Sequence, residues 1–136
     1  MDARLANIFN LENIDILDYR IAANTLEIAG DTVVELSQSL IKSNLSKVEL
    51  KKLHDFAKDI EEIQIKSIDS FISNNRTLAI DAIRLQRNNA TKISKIRSSL
   101  ESKKQISLEF FDLIYMFEKV LQSWSDIADL VKPSYG

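Results

Sequence analysis

Residues 26–40 read LEIAGDTVVELSQSL, and the spacing of their apolar side chains decides the fold. Leu26, Ala29, Val33, Leu36 and Leu40 recur at alternating steps of three and four. At 3.6 residues per turn that interval returns each side chain to one face of a helix. Ile14, Leu17, Ile21 and Ile28 widen the same face toward the N-terminus, which predicts a first helix from about Ala3 to Ile41. Gly30 interrupts it at a cost of roughly 1 kcal/mol relative to alanine, so a neighbour is expected to pack closely there.

Working outward, Ser43-Asn44 ends this helix, and Ser46 with Glu49 three residues on forms an S-x-x-E capping box for the next. The second helix is predicted to reach Ser73, burying Leu50, Leu53, Phe56, Ile60, Ile63, Ile68 and Phe71. Asn74-Asn75 is a short polar break. A third helix follows to about Ser102 through Leu78, Ile80, Ile83, Leu85, Ile93, Ile96 and Leu100, with an unusually polar middle at Gln86-Arg87-Asn88-Asn89. After a turn near Ser102-Lys103-Lys104, a fourth helix runs from about Ile106 to Val131, using residues such as Phe111, Ile114, Phe117, Val120, Trp124 and Ile127. Breaks this short favour antiparallel neighbours, so the expected fold is an all-α, up-down four-helix bundle forming one domain over 1–136.

Composition agrees. The chain has 136 residues, only two glycines and one proline, Pro133, so long helices meet little interruption. There is no cysteine, which excludes disulfides and thiolate metal sites and suits a reducing interior. No apolar run is long enough to span a bilayer, and the N-terminus lacks the layout of a secretion signal. A cytoplasmic location is expected.

The net charge of −2 conceals an asymmetry. Residues 1–44 hold 7 acidic and 3 basic side chains, whereas residues 74–104 hold 2 acidic and 8 basic. The third helix is therefore basic and is expected to lie beside an acidic one. A nucleic-acid surface through Arg84, Arg87, Lys92, Lys95 and Arg97 is the competing reading, but no aromatic residue interleaves these bases and the total charge is negative.

Catalytic chemistry finds few players. His54 is the single histidine, and Lys51 occupies the position where a di-iron bundle needs glutamate. Neither a nucleophile–histidine triad nor a phosphate-binding glycine loop can be built, so enzyme activity is not expected. Two polar stripes are more informative. Arg20, Asn24, Glu27 and Asp31 recur at steps of four, three and four, placing two carboxylates one turn apart. Glu118, Gln122, Ser125 and Asp129 form a comparable stripe on the fourth helix.

Residues 21–37, IAANTLEIAGDTVVELS, resemble the closing helix of a repeat in PhoU proteins, regulators of phosphate uptake. Leu26-Glu27 followed by Asp31 matches the Glu-x-x-x-Asp element of that helix. Residues 117–129, FEKVLQSWSDIAD, look like a second, weaker copy in which Gln122 replaces the aspartate, 91 residues after the first. The resemblance implies residues 1–44 as the last helix of one repeat and 45–136 as a complete three-helix repeat, against two complete repeats in the family. It also implies a regulatory role through contacts with a phosphate transporter or a signalling protein such as a sensor kinase. Some family members bind iron or zinc through these carboxylates, which would make Glu27, Asp31, Glu118 and Asp129 the metal positions, with Arg20, Asn24 and Gln122 as further binding residues. A neutral amide at Gln122 is a poor ligand for a multivalent cluster, so weak or absent metal binding is expected. The alternative is a structural or dimerising bundle within a larger sensor or adaptor, which predicts a homodimer with a parallel self-association seam.

Overall fold

The computed structural model describes residues 13–101 and 108–131. They form four helices, α1 (Asn13–Lys42), α2 (Lys47–Ser73), α3 (Arg76–Glu101) and α4 (Leu108–Asp129), with no strand among the described residues. The molecule is an antiparallel up-down four-helix bundle. The predicted start of α1 at Ala3 and the turn at Ser102-Lys103-Lys104 lie outside the described residues. Beyond Asp129, the chain closes through N–H groups of Leu130 and Val131 donating to Ile127 and Ala128 carbonyls, both at 3.1 Å.

Local chemistry sets the breaks. The Ser46 hydroxyl accepts from the Glu49 N–H at 3.2 Å, and the Glu49 carboxylate accepts from the Ser46 N–H at 3.1 Å, completing the capping box. Asn74 takes the left-handed conformation, with φ 51° and ψ 45°, a role asparagine fills when glycine is absent. The Asn75 side-chain oxygen then accepts from the Leu78 N–H at 3.1 Å, opening α3. Two asparagines thus end one helix and start the next.

Burial follows a coiled-coil rhythm. On α2 the buried line is Leu53, Phe56, Ile60, Ile63, Ser67 and Ser70, alternating steps of three and four. On α1 the buried positions are Ile16, Ala22, Ala29, Thr32 and Leu36. α4 differs, since Phe110, Leu113, Ile114, Phe117, Val120, Leu121, Trp124, Ile127 and Ala128 are all buried, a much wider arc. The reason is topological: α4 packs against α1, α2 and α3, and α2 also packs against α3. All four helices contribute to one core.

The first two helices do not pack together. No Cα of α1 lies within 8 Å of α2 or α3, and an edge-to-face contact of Tyr19 on Phe71, at 5.1 Å between ring centres, bridges the gap to α2. Several expectations change as a result. Among the described residues α1 packs chiefly on α4, so beyond its central line only Ile16 is also buried, while Leu17, Ile21 and Ile28 stay about half exposed. Gly30 is not closely packed, because a Cβ built there meets nothing within 4 Å. Leu50, expected in the core, is 46% exposed at the beginning of α2, ahead of the first core position at Leu53.

The basic α3 lies beside α4, yet its charges scarcely pair. Arg97 bonds to Glu118 and Arg76 donates to the Val131 carbonyl at 2.6 Å, while Arg84, Arg87, Lys92 and Lys95 are exposed. The polar middle of this helix contains a buried residue. Asn89 is 6% exposed, donates to the Leu85 carbonyl at 3.0 Å, and keeps its oxygen without a partner among the described residues.

These positions separate core from surface. Ile114→Ala is expected to cost about 2–5 kcal/mol, and Leu50→Ala under about 1 kcal/mol. Urea unfolding followed by circular dichroism measures both, and equal losses would contradict the placement of Leu50.

Candidate functional site

Ala22, Ala29 and Leu36, seven residues apart, mark the line on which α1 rests against the core. At about 100° per residue, Arg20, Asn24, Glu27 and Asp31 lie within about 40° of the opposite direction. All four are exposed. None of these side chains hydrogen-bonds or pairs with another described residue. Two carboxylates one turn apart repel mildly when unpaired, so the arrangement invites a cationic partner.

The fourth-helix stripe does not survive as one surface. Ser125 is 5% exposed and turns into the core, because α4 buries an arc too wide to leave position 125 outside. Glu118 is half buried and engaged by Arg97. Gln122 is exposed, and its amide donates to Asp126 Oδ1 at 2.9 Å. Asp129 is exposed near the end of the helix. The solvated line is instead Asp112, Tyr115, Lys119, Gln122, Asp126 and Asp129, along which the Lys119 ammonium sits 4.8 Å from the centre of the Tyr115 ring. Steps of three and four among these residues were visible in the sequence; what hid the line was the width of the buried face.

The two carboxylate pairs do not converge. Glu27 and Asp31 face away from α4, while Glu118 is turned toward α3 through Arg97. Among the described residues, no group of three or more His, Asp and Glu side chains comes together to hold a metal ion. The donor set therefore does not fit a multinuclear iron or zinc cluster shared between the two helices. His54 is exposed on α2, and no helix of the described residues is long and apolar enough to cross a membrane.

A second surface comes from the parting of α1 and α2. Leu26, Gly30, Val33 and Leu40 form one wall of a groove of about 460 Å³, Ala57 and Gln64 belong to the other, and Phe117, Val120 and Trp124 form its floor. Its lining is apolar except for Gln64 and the charged Glu61 on α2. Toward the Asn74 end it continues between Tyr19, Ala23, Leu26, Ile68 and Ile72. Sequence periodicity gives no sign of it, since the spacing along a helix does not reveal how far away its neighbour stands.

Searches of protein-family models, curated proteins and solved structures gave no match.

The Arg97–Glu118 pair tests how much the polar surface contributes to stability. Both side chains are about one-third exposed, so a double-mutant cycle with Arg97→Ala and Glu118→Ala is expected to give a coupling of no more than about 1 kcal/mol. A value several-fold larger would mean that the pair is shielded from water.

Proposed function

We propose that this chain is a regulatory interaction domain of the PhoU type, acting by protein–protein contact and not by catalysis, with a phosphate transporter or an associated signalling protein as its partner in the cytoplasm. The observation that carries this reading is the exposed line of Arg20, Asn24, Glu27 and Asp31, set on the side of α1 away from its own core. The resemblance of residues 21–37 to the closing helix of a PhoU repeat supports it, as does a helical bundle built on the expected four-helix plan. A sequence with no cysteine and one histidine offers little for nucleophilic or acid–base chemistry, which favours binding.

Carboxylates on an exposed helix face recognise basic segments by charge, steering association and fixing register more than supplying raw affinity. Glu27 and Asp31 would meet arginine or lysine on the partner. In this reading the same two carboxylates hold an iron or zinc ion weakly at most, since the second helix adds only Gln122, Glu118 engaged by Arg97, and Asp129.

The test is co-purification of the chain with the phosphate transporter and sensor kinase of its own cell, followed by affinity measurement with Glu27→Lys and Asp31→Lys together. Reversing both charges is expected to weaken the complex at least about tenfold, and to do so less at high salt. Absence of any complex, or an affinity indifferent to both substitutions, would refute the proposal.

A further inference from the structure

The outward edge of α1 beside the groove carries a second apolar line that no described residue covers, except at Tyr19, which meets Phe71 edge-on. Its centre is Gly30, exposed and with open space around it. Leu26 and Val34 stand four residues to either side, Ala23 and Ser37 seven, and Tyr19 and Ile41 eleven. Steps of four, seven and eleven all return to within about 40° of the starting direction on a helix, so the set forms one stripe. Every member is exposed, and none is charged. Even Ser37 turns its hydroxyl inward, donating to the Val33 carbonyl at 2.9 Å.

The stripe reads alike in both directions from Gly30. Reversed about that glycine, small residues fall on small and large on large. A surface with this property is complementary to an antiparallel copy of itself, which is what a two-fold contact requires, each patch meeting the same patch. A glycine mid-helix lowers helix stability, and here no described residue fills the space it leaves. At a two-fold crossing that space lets two helix backbones approach closely.

The exposed area suits a dimer as well. Tyr19, Leu26, Val33, Val34 and Ile41 on α1, with Ile72 on the facing lip of α2, are between 43% and 84% exposed. Together they amount to somewhat over three fully exposed side chains, or on the order of 350 Å² at roughly 100 Å² for each aliphatic side chain. A stable homodimer of ordinary size takes about 800 Å² from each partner, about 65% of it apolar. These side chains alone supply roughly two-thirds of that apolar share.

We infer that the chain forms a symmetric homodimer in which α1 crosses α1 of a second copy antiparallel at Gly30, with the lips of the α1–α2 groove closing over the crossing. Leu26 then meets Val34 of the second copy, Ala23 meets Ser37, and Tyr19 meets Ile41. The contact leaves Arg20, Asn24, Glu27 and Asp31 beside the interface, and it does not rest on the regulatory reading proposed above.

Because the chain lacks cysteine, single cysteines report the contact directly. In the full chain, Gly30→Cys is expected to oxidise rapidly to a species of twice 15.5 kDa. Asn88→Cys, exposed on α3, should cross-link only slowly. A mixture of Leu26→Cys and Val34→Cys chains should yield the mixed disulfide in preference to either self-paired product, which distinguishes antiparallel from parallel packing. Val34→Glu with Ile41→Glu, both already exposed, should keep the helical circular dichroism while raising the dimer dissociation constant by roughly 30-fold or more in sedimentation equilibrium. A wild-type chain that sediments as a monomer at every concentration reached overturns the inference. So does a dimer in which Gly30→Cys links no faster than Asn88→Cys, or one in which like cysteines at 26 pair best.

Discussion

The bundle depends on the burial of α4. From Phe110 to Ala128 this helix withdraws nearly every large apolar side chain from water, and each of the other helices touches it. At about 25 cal/mol per Å² of apolar area, burial on this scale is the largest favourable contribution that any one segment makes. It also sets a hierarchy. α2 and α3 support each other as well as α4, joined by a tight break at Asn74-Asn75, whereas among the described residues α1 is held chiefly by α4. The helix that carries Glu27 and Asp31 is therefore also the one least enclosed by the other described helices.

Side-chain size varies along the bundle. Near the Asn74-Asn75 break the core positions are small: Ser67 and Ser70 on α2, Ala79 and Ala82 on α3, Ala128 on α4. Away from it they are Leu53, Phe56, Phe110 and Phe117. Small residues permit close helix approach, and bulky ones hold helices apart. At the narrow end the gap between α1 and α2 is spanned by one aromatic contact, Tyr19 on Phe71. Further along, Phe117 and Trp124 floor an open groove instead.

Features governed by nearest neighbours in the chain were legible from the sequence. The four helices, the capping box at Ser46 and Glu49, and the break at Asn74-Asn75 all follow from spacing and local hydrogen bonding. So does the exposed stripe through Glu27 and Asp31. What was not legible depends on which helices touch. Ser125 and Gln122 lie on neighbouring turns of α4, but the arc that α4 buries takes in Ser125 and leaves Gln122 outside. Gly30 suggested a neighbour by its helix cost, yet no described residue approaches it. Asn89 lies in the most polar run of α3 and is nevertheless buried, because it occupies a core position between Ala82 and Ile93. Periodicity identifies a helix's faces, while the surrounding helices determine how much of each face is covered.

Trp124 is the only tryptophan in the chain, and it stands 5% exposed in the floor of the α1–α2 groove, its indole N–H without a partner among the described residues. An indole in such surroundings emits at shorter wavelength than one in water, and its emission responds to whatever approaches the groove or pulls α1 away from α4. The protein therefore carries an intrinsic optical probe at the place where its least enclosed helix meets its most enclosed one. Any loosening of α1 can be followed by light without attaching a dye.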